Sequence, residues 1–178
     1  IASRPGMGKT ALALNIADHV AVNTPTTVYF ASLEMSNQEV SCRMLCSRGR
    51  VNSFRLKDGM LSQSDRQRLI EVSSALSQTR LYIDDSPLRT VTEIAAAARR
   101  RKRQHGLGLL IVDYLQLLSP DNPKDTRQEQ VARVARRLKS LARELEVPIL
   151  CLAQLNRQAE ATSDTKPKLS YLRESGAI

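Results

Sequence analysis

The chain has 178 residues, 42% apolar and 25% charged, the make-up of a globular domain long enough to bury a real core. No run reaches the apolar length of a membrane span and no signal peptide opens the sequence. Three cysteines without disulfide spacing suit a cytoplasmic protein with no membrane partner. The net charge of +9 points to polyanions, nucleic acid foremost, while 3% aromatic residues favour backbone and charge contacts over base stacking.

The sequence opens on Ser3-Arg4-Pro5-Gly6-Met7-Gly8-Lys9-Thr10, followed by an apolar helical stretch, Ala11 to Ala17. Glycines let backbone N–H groups turn onto anionic oxygens. Lysine reaches β- and γ-phosphates, a hydroxyl holds magnesium, and the helix N-terminus favours anions. Two features depart from G-x-x-x-x-G-K-[ST]. Ser3 takes the first glycine's place, and the strand that should precede the loop is cut down to Ile1-Ala2.

Short apolar runs then alternate with helical patterns, the mark of an α/β fold with a mostly parallel sheet. Thr27 to Leu33 reads as a buried strand. Capping boxes at Ser36/Glu39, Ser62/Asp65 and Thr90/Glu93 start three helices, the second with Leu69, Val72 and Leu76 on one face. Leu81-Tyr82-Ile83 and Leu109-Leu110-Ile111-Val112 are further strands. Ser119 to Asp125 reads as an exposed loop, and Val131, Val134, Leu138, Leu141 and Leu145 form the stripe of a long amphipathic helix. Val147 to Leu152 is a fourth strand, and Asn156 to Lys168 is polar and expected to be mobile. No repeat and no second domain is apparent, so residues 1–178 read as one domain.

Nucleotide hydrolysis also needs a metal carboxylate and a group that orients water. Asp113 ends an apolar strand, placing its carboxylate at the ligand-binding edge of an open sheet. Asp84 is a rival with a poorer apolar run, and either could simply cap a turn. Glu34 ends the Val28–Leu33 run on what is expected to be a strand neighbouring the loop's strand, where it could polarise water; strand-end carboxylates are also common without function. Gln154 follows the last strand and could bond a γ-phosphate. The run Arg99 to Arg103 reads as a solvated helix end, and Arg127, Arg133, Arg136, Arg137, Lys139 and Arg143 as an exposed helix face. Arg173, near Gly176, has better geometry for gripping a phosphate backbone. Cys42 and Cys46 read as buried thiols, and His19 and His105 carry no assigned chemistry.

Taken together, these motifs resemble the C-terminal motor domain of the bacterial replicative DNA helicases, the DnaB family of RecA-like hexameric P-loop ATPases. The likeness rests on Arg4 to Asn15, Ser32-Leu33-Glu34-Met35-Ser36, Asp84-Asp85, Ile111 to Leu117, Gln154-Leu155-Asn156-Arg157 and Leu172-Arg173-Glu174-Ser175-Gly176, in order along nearly the whole chain. It implies Mg2+-ATP bound by the Ser3–Thr10 loop, with Lys9 on the β/γ-phosphates and Thr10 and Asp113 on the metal. Glu34 would be the catalytic base and Gln154 the γ-phosphate sensor. Arg173, Glu174 and Gly176 would lie in a loop on single-stranded DNA. A homohexameric ring that translocates and unwinds duplex DNA, with primase and a helicase loader as partners, is the further expectation.

Ala153 departs from the serine usual before the sensor glutamine. The core is expected to be truncated at both ends. The collar domain, the linker helix and the later strands with the trans arginine finger would lie outside it, leaving the chain weakly active or inactive alone. A RecA-type recombinase or DNA-repair ATPase shares the same core. A catalytically impaired DNA-binding module is a third reading. Leu115-Gln116-Leu117 and the Leu172 to Gly176 run favour the helicase over the second, and intact Lys9, Thr10, Glu34 and Asp113 argue against the third.

Overall fold

A computed structural model describes residues 1–87, 89–119 and 126–155, with the side chains of Arg127 and Gln128 excepted. Along them run β1 (Ala2–Ser3), α1 (Lys9–Asn23), β2 (Thr27–Ser32), α2 (Asn37–Gly49), α3 (Ser53–Lys57), α4 (Gln63–Ser77), β3 (Leu81–Asp84), α5 (Val91–His105), β4 (Leu107–Asp113), α6 (Arg127–Leu145), β5 (Ile149–Cys151) and β6 (Ala153–Gln154). A single 3-10 turn, Leu115–Leu117, follows β4. Most of the expected loop from Ser119 to Asp125 lies outside the described residues, as does everything from Asn156 onward, including Arg157, Arg173, Glu174 and Gly176.

Among the described residues all strand pairings are parallel. Four strands run in the order β3-β2-β4-β5, and β1 pairs with β6. Only Leu152 separates β5 from β6. There the segment hands over from one neighbour to the other: the Leu152 N–H donates to the Val112 carbonyl at 2.9 Å and the Ala153 N–H to the Ile1 carbonyl at 2.9 Å. The spatial order is therefore β3-β2-β4-β5/β6-β1.

Three expectations change. The first strand reaches Ser3 and is paired. The last strand starts at Ile149, two residues late, because the Val147 N–H is spent on the Ala142 carbonyl at the end of α6 and Pro148 has no N–H to give. The strand ending before Glu34 neighbours β3 and β4, with β4 and the β5/β6 segment between it and the loop's strand.

Both sheet faces are covered, so the central strands are apolar throughout. Along β2, Val28 and Phe30 face α1 and α2 while Tyr29 and Ala31 face α5 and α6. Ala13, Leu14, Ala17 and Ala21 seat α1 on the sheet, and the Val131–Leu145 stripe of α6 is buried as expected. Leu69, Val72 and Leu76 are only half-covered, because α4 packs on α2 at the sheet's edge rather than over its centre. Cys46 is buried, which raises its thiol pKa, and Cys42 is half-buried. Part of the basic run after Ile94 is committed to packing. Arg99 grips Glu144 of α6 through two bonds of 2.6 and 2.7 Å, and Arg101 lies 4.1 Å above the Tyr82 ring.

Candidate functional site

The loop from β1 to α1 runs across the carboxyl ends of the strands. Gly6 and Gly8 adopt φ of +74° and +81°, with nothing within 4 Å of where a Cβ would stand; backbone conformation, not crowding, calls for glycine. Gly8 is the N-cap of α1 and supplies no side-chain acceptor. By contrast α2, α4, α5 and α6 each begin with a complete capping box. The first N–H groups of α1 are thus left for an anion at the positive end of the helix.

Lys9 and Thr10 open that helix and turn toward β4. The Thr10 hydroxyl donates to Asp113 Oδ2 at 2.7 Å, and Lys9 Nζ stands 3.4 Å from Oδ1 and 4.0 Å above the Tyr114 ring. Asp113 is 1% exposed, and its Oδ1 accepts no hydrogen bond among the described residues. A buried carboxylate oxygen in that position is costly unless a cation faces it. The peptide bond from Asp113 to Tyr114 is cis.

Glu34 is held close by backbone. Ser32 lies in register with Asp113, and the Leu33 N–H donates to the Asp113 carbonyl at 2.8 Å. The buried Ser32 hydroxyl donates to the Met35 carbonyl at 2.6 Å, closing the turn that carries Glu34. Glu34 is exposed and lines a cavity of about 300 Å3 together with residues 3–6 and 8–11, Met35, Arg43 and Gln154.

The rival carboxylate is otherwise engaged. Asp84 accepts from Tyr29 at 2.8 Å and from Arg89 at 2.8 and 3.0 Å, and the Ser86 N–H donates to it at 3.1 Å. Burial opposes its ionisation, but the bonds from Ser86 and Tyr29 and the Arg89 charge outweigh that and hold its pKa at about 2. The same burial and the Asp84 bond raise the Tyr29 pKa.

The model of the DnaB-like helicase C-terminal domain matches residues 1–178, the whole chain. The chain belongs to that family. The replicative DNA helicase DnaB of Geobacillus stearothermophilus is 46% identical over all of this chain and 39% of its own length. The replicative DNA helicase DnaC of Bacillus subtilis (strain 168) is 45% identical over the same shares. Among solved structures, a DnaB-like replicative helicase studied for its interactions with primase superposes with a TM-score of 0.94 at 36% identity, covering 99% of this chain and 43% of that one. A second solved structure, an ATPase domain, also gives 0.94, at 37% identity, covering 99% of this chain and 63% of that one. The chain thus spans about two fifths of the length of these curated relatives.

In this DnaB-like domain the fold brings Ser3, Arg4, Pro5, Gly6, Gly8, Lys9, Thr10, Glu34 and Gln154 to one cavity, with Asp113 buried behind Thr10. Met7 is not on the wall; it is 71% exposed, at the outer side of the loop. Two contributions to the cavity go beyond the roles read from the sequence, where Gln116 figures only as part of the Leu115-Gln116-Leu117 run. Gln116 clamps the Gln154 backbone, donating to its carbonyl at 3.0 Å and accepting from its N–H at 3.2 Å. Arg43 of α2 reaches the same cavity from a helix whose polar face otherwise looks solvated. No local pattern reveals either contribution; a contact 38 residues away in sequence fixes the first, and helix packing the second.

Proposed function

We propose that this DnaB-like domain is the ATP-hydrolysing motor of a replicative DNA helicase. It binds Mg2+-ATP and single-stranded DNA and couples hydrolysis to translocation and unwinding within a homohexameric ring. The observation that carries the reading is the junction of Thr10, Lys9 and Asp113 beside an uncapped helix start, with Glu34 and Gln154 on the same cavity.

The loop N–H groups and Lys9 bind the phosphates. Thr10 and Asp113 offer oxygen donors only, which suits a hard cation such as magnesium, and the buried unbonded Oδ1 of Asp113 is the atom such an ion would satisfy. Bound magnesium neutralises charge on the β- and γ-phosphates. Glu34 orients a water and takes its proton, and Gln154, steadied by Gln116, bonds the γ-phosphate. Arg173, Glu174 and Gly176 contact the DNA backbone, in keeping with the net charge of +9. Primase is a partner by analogy with the relative solved for its interactions with primase. A helicase loader is a further partner, and the cytoplasm the place of action.

With full-length protein, Glu34→Gln is expected to keep nucleotide affinity while ATP turnover falls by about a hundredfold or more. Unchanged turnover would remove Glu34 from its role. Wild type that hydrolyses ATP on single-stranded DNA without separating a forked duplex would favour a recombinase or repair ATPase.

A further inference from the structure

Glu34 sits on an exposed turn, whereas a base works only when held close to its productive geometry. Resting on the reading of Glu34 as that base, we infer that Asp85 is its positioning residue: the Asp85 carboxylate ties the head of α2 to the end of β3 and so fixes the turn that carries Glu34.

The turn runs from Leu33 to Ser36, between β2 and α2. Its first half hangs from the sheet, through the Leu33 N–H on the Asp113 carbonyl and the Ser32 hydroxyl on the Met35 carbonyl. Its second half depends on where α2 begins. The capping box there joins Ser36 to Glu39, so it travels with the helix and does not place the helix on the sheet. At its far end α2 is tied to α1: Ser47 bonds Asn15 at 3.2 Å and Arg48 pairs with Asp18 at 2.8 Å. At its head the tie comes from Asp85. The Asp85 Oδ2 accepts the N–H of Asn37, the first residue of α2, at 2.7 Å and across 48 residues of sequence.

Asp85 has a firm footing for this. Asp84 pairs in register with Ala31, which puts Asp85 beside the end of β2, where the turn begins. The Asp84 side chain is anchored by Tyr29 and Arg89, both at 2.8 Å, so the backbone that carries Asp85 is held. The two adjacent carboxylates thus divide the work: Asp84 secures the end of β3, and Asp85 reaches from it to α2. A charged acceptor on an N–H at the positive end of a helix makes one of the stronger kinds of hydrogen bond. Asp85 and Asn37 are both exposed, so the bond adds modestly to global stability and its loss leaves the fold intact. What it fixes is the far end of the Glu34 turn.

The test is steady-state ATP hydrolysis by full-length protein with magnesium and single-stranded DNA. It compares wild type, Asp85→Ala, Asp85→Asn, Glu34→Gln and the double variant Asp85→Ala/Glu34→Gln. Asp85→Ala is expected to lower kcat by about tenfold with KM for ATP within about twofold, the pattern of a misaligned base rather than a lost binding contact. Asp85→Asn keeps an acceptor oxygen and is expected to return kcat to within about threefold of wild type. With Glu34→Gln in place, Asp85→Ala is expected to change kcat by less than about twofold, because the side chain it positions is gone. Wild-type kcat in Asp85→Ala, or an equal loss with and without Glu34→Gln, would overturn the positioning role. Turnover unchanged in Glu34→Gln would instead overturn the reading of Glu34 as the base, and the role of Asp85 with it.

Discussion

Thr10 and Asp113 lie 103 residues apart in sequence and 2.7 Å apart in the structure. Their identities are legible because each sits in a strong local pattern: a glycine loop opening a helix for one, an apolar strand ending in a carboxylate for the other. What the local pattern cannot decide is Asp113 against Asp84, since both end strands. The neighbours decide it. Asp113 keeps one oxygen unbonded beside Lys9, whereas Asp84 spends both on Tyr29, Arg89 and Ser86. That difference can be measured. With a folded-state pKa of about 2 against an ordinary 3.8, Asp84 contributes stability that is present above its ordinary value and is lost as pH falls toward 2. Asp84→Asn is therefore expected to lower the urea midpoint near neutral pH, and the gap to wild type is expected to close between about pH 4 and pH 2. A gap independent of pH would mean that the Asp84 charge plays no part.

At the scale of elements, helix starts are the clearest signals. Three capping boxes are readable in the sequence, and in the structure the N–H of the third helical residue donates to the capping hydroxyl at 3.1–3.2 Å in each. Thr126 and Glu129 form a fourth, at the head of α6, masked in the sequence by a neighbouring loop rich in proline and aspartate. The short α3, capped by Asn52, is equally hidden, because five residues carry too little periodicity to read. Strand neighbours are the least legible. Nothing local to Glu34 says that β4 rather than β1 lies beside it, because order in a parallel sheet is set by crossovers and packing. Thr90→Ala removes the cap of α5, whose Val91, Ile94 and Ala98 face the sheet. It is expected to cost about 1 kcal/mol in urea unfolding at unchanged m. A change below a few tenths would indicate that packing alone fixes this helix end.

For the whole molecule, the parallel order β3-β2-β4-β5/β6-β1 brings the ends of β1, β2 and β6 to one cavity, with the end of β4 buried behind Thr10. Four short segments spread over some 150 residues meet at the cavity proposed to hold phosphate, and family membership extends across all 178 residues. The DNA-contacting role of Arg173, Glu174 and Gly176, like the ring itself, is a proposal made from resemblance and charge, and those residues lie outside the described part of the fold. Phosphate gripping at Lys9 is proposed to drive strand separation. The most direct measurement of that coupling is unwinding of forked DNA by full-length protein with ATP and magnesium, wild type against Lys9→Ala. Wild type is expected to separate the strands and Lys9→Ala to fail while remaining folded; unwinding that persists in Lys9→Ala would contradict it.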